Sequence, residues 1–179
     1  MFFETSPDVF SPNYIDKGTL AMLSVAEFGE SGKVLDLGCG YGAVGIYAAK
    51  LIGGANVLMS DIDAGSIELA IKNARLNGVG DIEAIQSDAF ENIDCADFTM
   101  ILSNPPYHSD FSVAKRFIEK GFNRLAIGGK MYMVTKRKEW YKNKLSAIFG
   151  GAKIEEVDGY FVFCSEKRSM QYSKAGKHK

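Results

Sequence analysis

The sequence predicts an α/β fold: a doubly wound, seven-stranded, mostly parallel sheet with a C-terminal antiparallel hairpin and helices on both faces. Short apolar runs alternate along the chain with segments of helical period, which favours parallel strands joined by right-handed crossovers. Asp158 and Gly159 separate the last two apolar runs, and this dipeptide between strands is a strong indication of a tight hairpin. One strand is therefore expected to run antiparallel to its neighbours.

The first half of the chain is predicted to contribute three strands and three helices. The strands are expected at residues 34–37, 56–60 and 82–86. The helices are expected at residues 15–28, from the glycine turn to 51, and at 64–77. Leu20, Leu23 and Phe28 give the first helix an apolar side, while Asp63 and Gly78 are the expected N-cap and C-cap residues of the third.

The second half is predicted to contribute the other four strands. They are expected at residues 98–103, 130–135, 152–157 and 160–165. A helix over 110–127 places Ala114, Ile118, Phe122 and Leu125 at burial spacing, and a further helix ends at Gly150.

The composition indicates an ordinary soluble protein with one domain. The 179 residues are 46% hydrophobic and 24% charged, and this length fits a single sizeable core. The longest apolar run, residues 43–49, is too short to span a bilayer, and the N-terminus lacks a secretory signal pattern. Cys39, Cys95 and Cys164 lie too far apart to suggest a disulfide framework or a zinc site. We therefore expect a cytoplasmic protein with no metal and no membrane association.

The net charge of −1 conceals an asymmetry between the two parts of the chain. Residues 1–129 hold 9 Lys or Arg and 17 Asp or Glu, a balance of −8, whereas residues 130–179 hold 12 and 5, a balance of +7. A basic C-terminal part suits a polyanionic partner, and the alternative is a solvated helix face followed by a disordered tail. The basic residues at issue are Lys136, Arg137, Lys138, Lys142, Lys144, Lys167, Arg168, Lys174, Lys177 and Lys179.

Four polar markers follow the ends of four successive strands. They are the loop at residues 36–42, Asp61, Asp88 and Asn104. In an open α/β sheet the carboxyl ends of parallel strands share one edge, where ligands bind at the point of reversed strand order. The four markers are therefore expected to line one site.

The first marker, residues 36–42 (DLGCGYG), is predicted to be a strand-to-helix turn. Glycines permit sharp turns and close approach to a ligand, and Gly38, Gly40 and Ala43 fit the loose pattern of dinucleotide-binding loops. Asp36 would place a carboxylate where a pyrophosphate would otherwise lie. The loop thus suits a cation such as the ammonium of an amino acid, and an incidental tight turn is the alternative.

Asp61 and Asp88 end the second and third predicted strands. Asp61 lies about twenty residues past the glycine loop, the spacing at which an acid hydrogen-bonds ribose hydroxyls; otherwise it is a cap or turn residue. Asp88 can accept from an adenine amine, with Ala89 or Phe90 against the ring, although aspartate after a strand is also ordinary turn chemistry.

Residues 104–107 (NPPY) are the most specific marker. The amide oxygen of Asn104 and the carbonyl of Pro105 can both accept from one –NH₂ group, which pulls the nitrogen lone pair out of conjugation and aims it as a nucleophile. Pro106 stiffens the turn, and Tyr107 can stack on a planar substrate group, worth roughly 1–3 kcal/mol for a nucleobase. The alternative is a proline-stiffened turn with no chemical role.

These motifs resemble the small class I S-adenosylmethionine (SAM) dependent methyltransferases, and most closely the catalytic domain of 16S ribosomal RNA (guanine-N2)-methyltransferases. The resemblance covers nearly the whole chain and includes residues 8–19, 34–40, 60–61 and 103–108. It implies a Rossmann-like core, SAM as the cofactor and ribosomal RNA as the substrate. The ribosomal members also carry a second, degenerate domain that the present sequence does not include, so RNA specificity is expected from this domain or from a partner.

The resemblance also implies roles for individual residues. The implied SAM contacts are Thr19, Asp36, Gly38, Cys39, Gly40, Asp61, Ile62, Asp88, Ala89 and Asn104. The implied catalytic residues are Asn104, Pro105, Pro106 and Tyr107, and the expected RNA contacts are Phe10, His108, Arg137 and Lys138. Residues 1–30 are expected to close over the site, residues 31–166 to form the methyltransferase core, and residues 167–179 to form a basic, mobile tail.

Other functions remain open on the sequence alone. N6 of adenine in RNA or DNA and the side-chain amide of a protein glutamine present the same planar –NH₂ group. His108 and the N-terminal segment favour guanine, and the basic C-terminal part favours a nucleic acid over a peptide. A non-catalytic SAM- or RNA-binding module has no need of the acceptors at Asn104 and Pro105, and Asp36 disfavours a dinucleotide oxidoreductase.

Overall fold

A computed structural model describes residues 1–6, 15–106 and 111–173 of the chain. The helices are α1 (Lys17–Val25), α2 (Ala43–Ile52), α3 (Ala64–Leu76), α4 (Ser112–Arg124) and α5 (Lys138–Phe149). The strands are β1 (Val34–Leu37), β2 (Val57–Asp61), β3 (Glu83–Gln86), β4 (Phe98–Ser103), β5 (Leu125–Thr135), β6 (Lys153–Val157) and β7 (Tyr160–Glu166).

The seven strands form one sheet in the order β3-β2-β1-β4-β5-β7-β6. The pairs β1–β2, β2–β3, β1–β4 and β4–β5 are parallel, so the strand order reverses at β1 and β4. β7 runs antiparallel between β5 and β6, because Asp158 and Gly159 reverse the chain with φ values of 50° and 77°, the positive values that a tight hairpin turn uses. The predicted fold class is confirmed.

Two hydrophobic clusters cover the two faces of the sheet. Met22, Ile46 and Ala70, from α1, α2 and α3, are fully buried against one face. Ile118 and Leu145, from α4 and α5, are fully buried against the other. Each large apolar side chain buried in this way contributes about 1.5–3 kcal/mol. The carboxyl ends of the central strands are thereby held in a fixed frame.

The structure corrects several sequence predictions about the limits and faces of elements: the first helix, expected at 15–28, spans Lys17–Val25, and β5 begins five residues before the predicted strand. α4 ends at Arg124 and β5 begins at Leu125, three residues before the predicted helix end. Leu125 pairs with Phe98 ahead of a register shift in the β4–β5 ladder. Leu125 is therefore buried as predicted, but in a strand and not in a helix. In α1, Leu20 is 50% exposed, because it lies on the side of the helix opposite to the fully buried Met22.

The first residues of the chain lie along α3. The side-chain amides of Asn77 and Asn73, one helical turn apart, each donate to and accept from the backbone of Phe2 and Glu4 at 2.6–3.0 Å. These bonds satisfy the backbone as a neighbouring strand would. They hold the N-terminal residues beside the glycine loop that follows β1.

The residues after β7 differ from the expected mobile tail. Lys167 is buried: its Nζ donates to the carbonyl of Leu125 at 2.7 Å and lies 5.1 Å from the centroid of the Phe122 ring. Burial lowers the pKa of this amine. Tyr172 also packs edge-on against Phe122, with ring centroids 5.0 Å apart. The expectation that Lys167 belongs to a mobile, phosphate-contacting tail is therefore wrong.

Within the described ranges, no helix combines the length and apolarity needed to cross a membrane. The same residues contain no group of three or more His, Cys, Asp or Glu side chains arranged to hold a metal ion.

Candidate active site

A cavity of about 350 Å³ opens at the carboxyl ends of the central strands. Twelve of the residues predicted from the sequence line it together: Thr19, Asp36, Gly38, Cys39, Gly40, Asp61, Ile62, Asp88, Ala89, Asn104, Pro105 and Pro106. Arg137 and Lys138 lie outside the cavity lining. Phe10, Tyr107 and His108 fall outside the described residues. The four markers thus meet at one edge of the sheet.

The glycine loop follows β1 and wraps around the end of β2. The N–H groups of Gly38 and Cys39 both donate to the carbonyl of Ser60, at 2.8 and 2.9 Å. Gly40 and Gly42 have φ values of 52° and 91°, in the left-handed region that glycine adopts without strain. The loop therefore turns sharply without strain and brings the backbone of Gly38, Cys39 and Gly40 to the cavity wall.

Asp36 is the most deeply buried acid of the site, with 2% of its surface exposed. Its Oδ2 accepts from the N–H of Gly45, in the first turn of α2, at 2.7 Å. Burial raises the pKa of Asp36 to about 7, with a smaller contribution from the negative charge of Asp61, although the bond from Gly45 opposes the shift. A positive group in the cavity would stabilise the ionised form.

Asp61 is held by backbone on both carboxylate oxygens. Oδ2 accepts from the N–H of Gly40 at 2.8 Å, and Oδ1 accepts from the N–H of Asp63 at 3.0 Å. Asp63 is the N-cap of α3, since its Oδ2 accepts from the N–H of Ser66 at 2.7 Å. A carboxylate oxygen can accept more than one hydrogen bond, so Asp61 keeps acceptor capacity towards the cavity.

Asp88 stands in an ion pair at the far end of the cavity. Arg116 of α4 donates to both of its carboxylate oxygens, at 2.7 and 2.8 Å, in the two-pronged geometry that fixes a carboxylate in place. The next residue, Ala89, has a φ of 54°, and its carbonyl accepts from the hydroxyl of Ser87 at 3.0 Å. The turn thus holds a strained residue at the cavity wall, which costs of order 1–3 kcal/mol.

Asn104 lies at the end of β4, and its amide is held by two residues at the start of α1. Its Nδ2 donates to Asp16 Oδ2 at 2.8 Å and to Thr19 Oγ1 at 3.1 Å. Asn104 Oδ1 is buried and receives no hydrogen bond from any described residue, and the same holds for the hydroxyl of Ser60, which also lines the cavity. Two residues that line the cavity therefore each carry a buried polar atom that has no hydrogen-bond partner among the described residues.

The predicted basic surface lies beyond the end of β5. The guanidinium of Arg137 stands 5.1 Å from the centroid of the Phe111 ring, and Lys138 Nζ stands 4.9 Å from that of Phe161. The Phe111 ring stacks on Trp140, with centroids 4.3 Å apart and planes 8° from parallel. Arg137 and Lys138 are exposed, so they present positive charge beside aromatic rings. We call Arg137, Lys138, Phe111 and Trp140 the basic–aromatic surface.

Lys144 differs from the basic residues beside it. Its Nζ pairs with the carboxylate of Glu119 on α4. The pair links α4 to α5 on a partly buried surface. Lys144 is therefore engaged within the protein, in contrast to Arg137 and Lys138.

Four residues of this site have no role predicted from the sequence: Asp16, Gly45, Ser60 and Arg116. Position 45 requires glycine, because a Cβ there would lie 2.5 Å from Met59 Cγ. The sequence does not reveal that Met59 approaches this position. Asp16 is recognisable as a cap before a helix. Neither its pattern nor that of Arg116 indicates a partner on another element.

Comparison with known proteins places the chain in a family. The methyltransferase small domain family matches residues 1–164. The uncharacterised protein YbxB of Bacillus subtilis (strain 168) is 30% identical over 171 residues, which span 92% of this chain and 85% of YbxB. Ribosomal RNA small subunit methyltransferase C of Serratia proteamaculans (strain 568) is 32% identical over 162 residues, spanning 88% of this chain and 46% of that protein.

Two solved structures are similar in fold and in sequence. The T. thermophilus 16S rRNA N2 methyltransferase RsmC, in complex with AdoMet (SAM) and guanosine, superposes with a TM-score of 0.84 at 30% identity, over 92% of this chain and 46% of that one. An RNA methyltransferase from Salinibacter ruber, in complex with S-adenosyl-L-homocysteine, gives 0.66 at 25% identity, over 84% and 90%. The chain spans about half the length of the named ribosomal RNA methyltransferases it matches. The family expected from the sequence is confirmed, and the chain belongs to the methyltransferase small domain family.

Proposed function

We propose that the protein is a SAM-dependent N-methyltransferase that acts on the exocyclic amine of a nucleobase, namely N2 of guanine in ribosomal RNA. The observation that carries the proposal is Asn104 Oδ1, a buried acceptor at the cavity that receives no hydrogen bond from the described residues. Such an acceptor needs a donor from a ligand, because a buried polar atom without a partner costs about 1–3 kcal/mol. An –NH₂ group is the donor that fits.

The residues around the cavity fit SAM. Asp36, a fully buried acid, suits the ammonium of the methionine part; Asp61 keeps acceptor capacity for the ribose hydroxyls; and Asp88 and Ala89 suit the adenine. The hydroxyl of Ser60 offers a further buried polar contact. When bound, SAM supplies an electrophilic methyl group. The similar T. thermophilus structure holds AdoMet and guanosine together, which supports this assignment.

The chain's own residues then act on the acceptor amine. Asn104 Oδ1 and the Pro105 carbonyl accept its two hydrogens, which turns the nitrogen lone pair out of conjugation with the ring. Pro106 restricts the backbone of the turn, and Tyr107 is proposed to stack on the base. No strong general base is required, because two fixed acceptors stabilise the charge that develops on the amine. After transfer, the nitrogen releases one proton to solvent.

We infer that RNA docks on the basic–aromatic surface beyond β5. Arg137 and Lys138 supply contacts to phosphates, which set affinity without reading sequence. Phe10 and His108 are proposed as further RNA contacts. In this arrangement residues 1–30 close over the site, residues 31–166 form the core, and the segment after Lys167 adds positive charge. An enzyme of ribosomal RNA is expected in the cytoplasm.

Methyl transfer to small-subunit ribosomal RNA tests the proposal. The protein is incubated with SAM carrying a labelled methyl group and with either 16S ribosomal RNA or small ribosomal subunits. Nucleosides and proteins are then separated and analysed by mass spectrometry. N2-methylguanosine is the expected product, and the Asn104→Ala variant is the inactive control.

Other products would identify the other functions. N6-methyladenosine would indicate an adenine methyltransferase, and labelled methylglutamine in a ribosomal protein would indicate a glutamine methyltransferase. SAM binding with no labelled product in either fraction would favour a non-catalytic module. Any of these three results would overturn guanine N2 as the target.

A further inference from the structure

The two ends of the Asn104 amide have opposite surroundings. The nitrogen end donates to Asp16 Oδ2 at 2.8 Å and to Thr19 Oγ1 at 3.1 Å. The oxygen end is buried and receives no donor from the described residues. The amide is therefore bound on one end only, and the free end is its acceptor.

The carboxylate of Asp16 decides which end is free. An ionised carboxylate can only accept hydrogen bonds, so it binds the –NH₂ end and repels the oxygen end. If Asn104 turned over, two oxygens would face each other and the free end of the amide would be the nitrogen, which could not accept a hydrogen bond from an amine. Thr19 alone cannot fix the direction, because a hydroxyl both donates and accepts.

Asp16 is itself fixed in position. Its Oδ2 also accepts from the N–H of Thr19 at 3.1 Å, which makes it the N-cap of α1. The residue at position 18 must be small, because a Cβ there would lie 2.8 Å from Asp16 Oδ2 and 2.9 Å from Tyr160 Cε1. Since Tyr160 is buried, a larger residue at position 18 would displace the carboxylate.

We propose that Asp16 is a positioning residue: it orients the Asn104 amide so that Oδ1 faces the cavity and accepts from the target amine. Asp16 sits 88 residues before Asn104 and acts on the substrate only through that amide. The proposal rests on the proposed function in one respect, namely that the group accepted by Asn104 is an amine.

Three variants separate this role from helix capping. Asp16→Ser keeps an N-cap acceptor for α1 but is too short to reach Asn104. Asp16→Asn keeps an acceptor oxygen for both bonds. Gly18→Ala keeps the Asp16 carboxylate in the sequence but displaces it from its position beside Asn104. Asp63→Ser, which exchanges the N-cap of α3, is the matched control for the effect of a cap exchange on stability.

The first readout needs neither cofactor nor substrate. The side-chain ¹H–¹⁵N resonances of Asn104, identified by their loss in Asn104→Asp, should be shifted and protected from exchange in the unmodified protein by the charged hydrogen bond. We expect Asp16→Ser and Gly18→Ala to lose that shift and protection, Asp16→Asn to retain much of both, and Asp63→Ser to retain them fully.

The second readout is a split between turnover and binding. We expect Asp16→Ser to lower kcat for methyl transfer to RNA by about tenfold or more, with SAM affinity and the KM for RNA within threefold of the unmodified protein. Asp16→Asn should recover most of the loss. Unchanged Asn104 resonances in Asp16→Ser would overturn the proposal, and so would a loss of SAM affinity as large as the loss of kcat, since Asp16 would then contact the cofactor directly. If the unmodified protein transfers no methyl to any RNA, the proposed function fails, while the resonances still test the orientation.

Discussion

The two sides of the cavity are built in different ways. On the side proposed to bind the cofactor (the cofactor side), at the ends of β1 and β2, backbone N–H groups hold two of the acids: Gly45 donates to Asp36, and Gly40 donates to Asp61. These contacts arise within strand–turn–helix units and between neighbouring parallel strands. The cofactor side therefore follows from local structure and from the strand order of the sheet.

The side proposed to bind the acceptor amine (the acceptor side), at the end of β4, depends on a distant part of the chain. Asn104 is held by Asp16 and Thr19, which precede it by 88 and 85 residues. These bonds exist only when α1 has docked on the sheet. The difference indicates that substitutions on the two sides should have separable effects, on SAM affinity for the cofactor side and on turnover for the acceptor side.

Asn104→Ala should show the largest effect, and on turnover alone. Loss of the acceptor oxygen removes a contact made to the amine as it reacts, so kcat should fall by roughly 10²-fold or more, with SAM affinity nearly unchanged. Steady-state methyl transfer and titration calorimetry measure the two quantities. The control is Asn56→Ala, which removes an exposed side-chain amide that donates to the Ile52 carbonyl at the amino-terminal ends of the strands. An equal loss of SAM binding would make Asn104 a structural residue and end the separation of the two sides.

The same difference explains what the sequence could predict. The mostly parallel sheet, the hairpin at Asp158 and Gly159, and the meeting of Asp36, Asp61 and Asn104 at the carboxyl ends of the strands follow from periodicity and the rules of parallel sheets. Each of these features needs only information from nearby residues together with the order of the elements.

The features that sequence reasoning missed are contacts between side chains on separate elements. Asp16 has the appearance of a simple helix cap, and Arg116 that of an ordinary exposed helix residue, until α1 and α4 are placed on the sheet. Lys167 is a further example. A lysine after the last strand is expected to be exposed, but its Nζ is buried and donates to the carbonyl of Leu125. The periodicity of apolar residues predicts which face of an element is buried, but it does not predict which polar side chains on separate elements will contact each other.

Asp61→Ala should produce the largest change on the cofactor side. Loss of a charged acceptor for the ribose, together with the loop bond from Gly40, should weaken SAM binding by roughly 1–3 kcal/mol. Titration calorimetry measures this change directly. Asp81→Ala should leave SAM affinity unaltered, because it removes a carboxylate that accepts from the N–H of Ala55 at the amino-terminal ends of the strands, away from the cavity. Unchanged affinity in Asp61→Ala would remove this acid from the proposed site.

Asp36 should make SAM binding depend on pH. Its pKa is raised to about 7 in the folded protein by burial, so below that pH the site carries a neutral acid, which cannot pair with an ammonium. SAM affinity should therefore rise by about fivefold from pH 6 to about pH 7.5, above which the α-ammonium of SAM begins to lose its own proton. Calorimetry across this range tests it, and a flat profile would contradict the assignment of Asp36 to the ammonium.

The stability of the free protein should have the opposite dependence. Because the folded pKa of Asp36 exceeds the unfolded value of 3.8, the folded state holds a proton that the unfolded state has lost. The free energy of unfolding should then fall as pH rises from about 4 to about 7. Asp36→Asn should remove this contribution and the pH dependence of SAM binding together, as urea unfolding and calorimetry would record.

The smallest effects are expected from the basic–aromatic surface, which belongs to neither side of the cavity. Arg137→Glu combined with Lys138→Glu should raise the KM for RNA a few-fold and flatten its salt dependence, since each lost phosphate contact lowers the slope of log K against log salt by about 0.7–0.9. SAM affinity should not change, because neither residue lines the cavity. The matched control is Lys33→Glu combined with Lys50→Glu. These two residues are exposed near the amino-terminal ends of the strands, and the exchange changes the net charge by the same amount. If both double variants alter the KM alike, net charge alone governs binding. If neither alters it across a salt titration, RNA does not dock beyond β5, and a protein substrate becomes the better candidate.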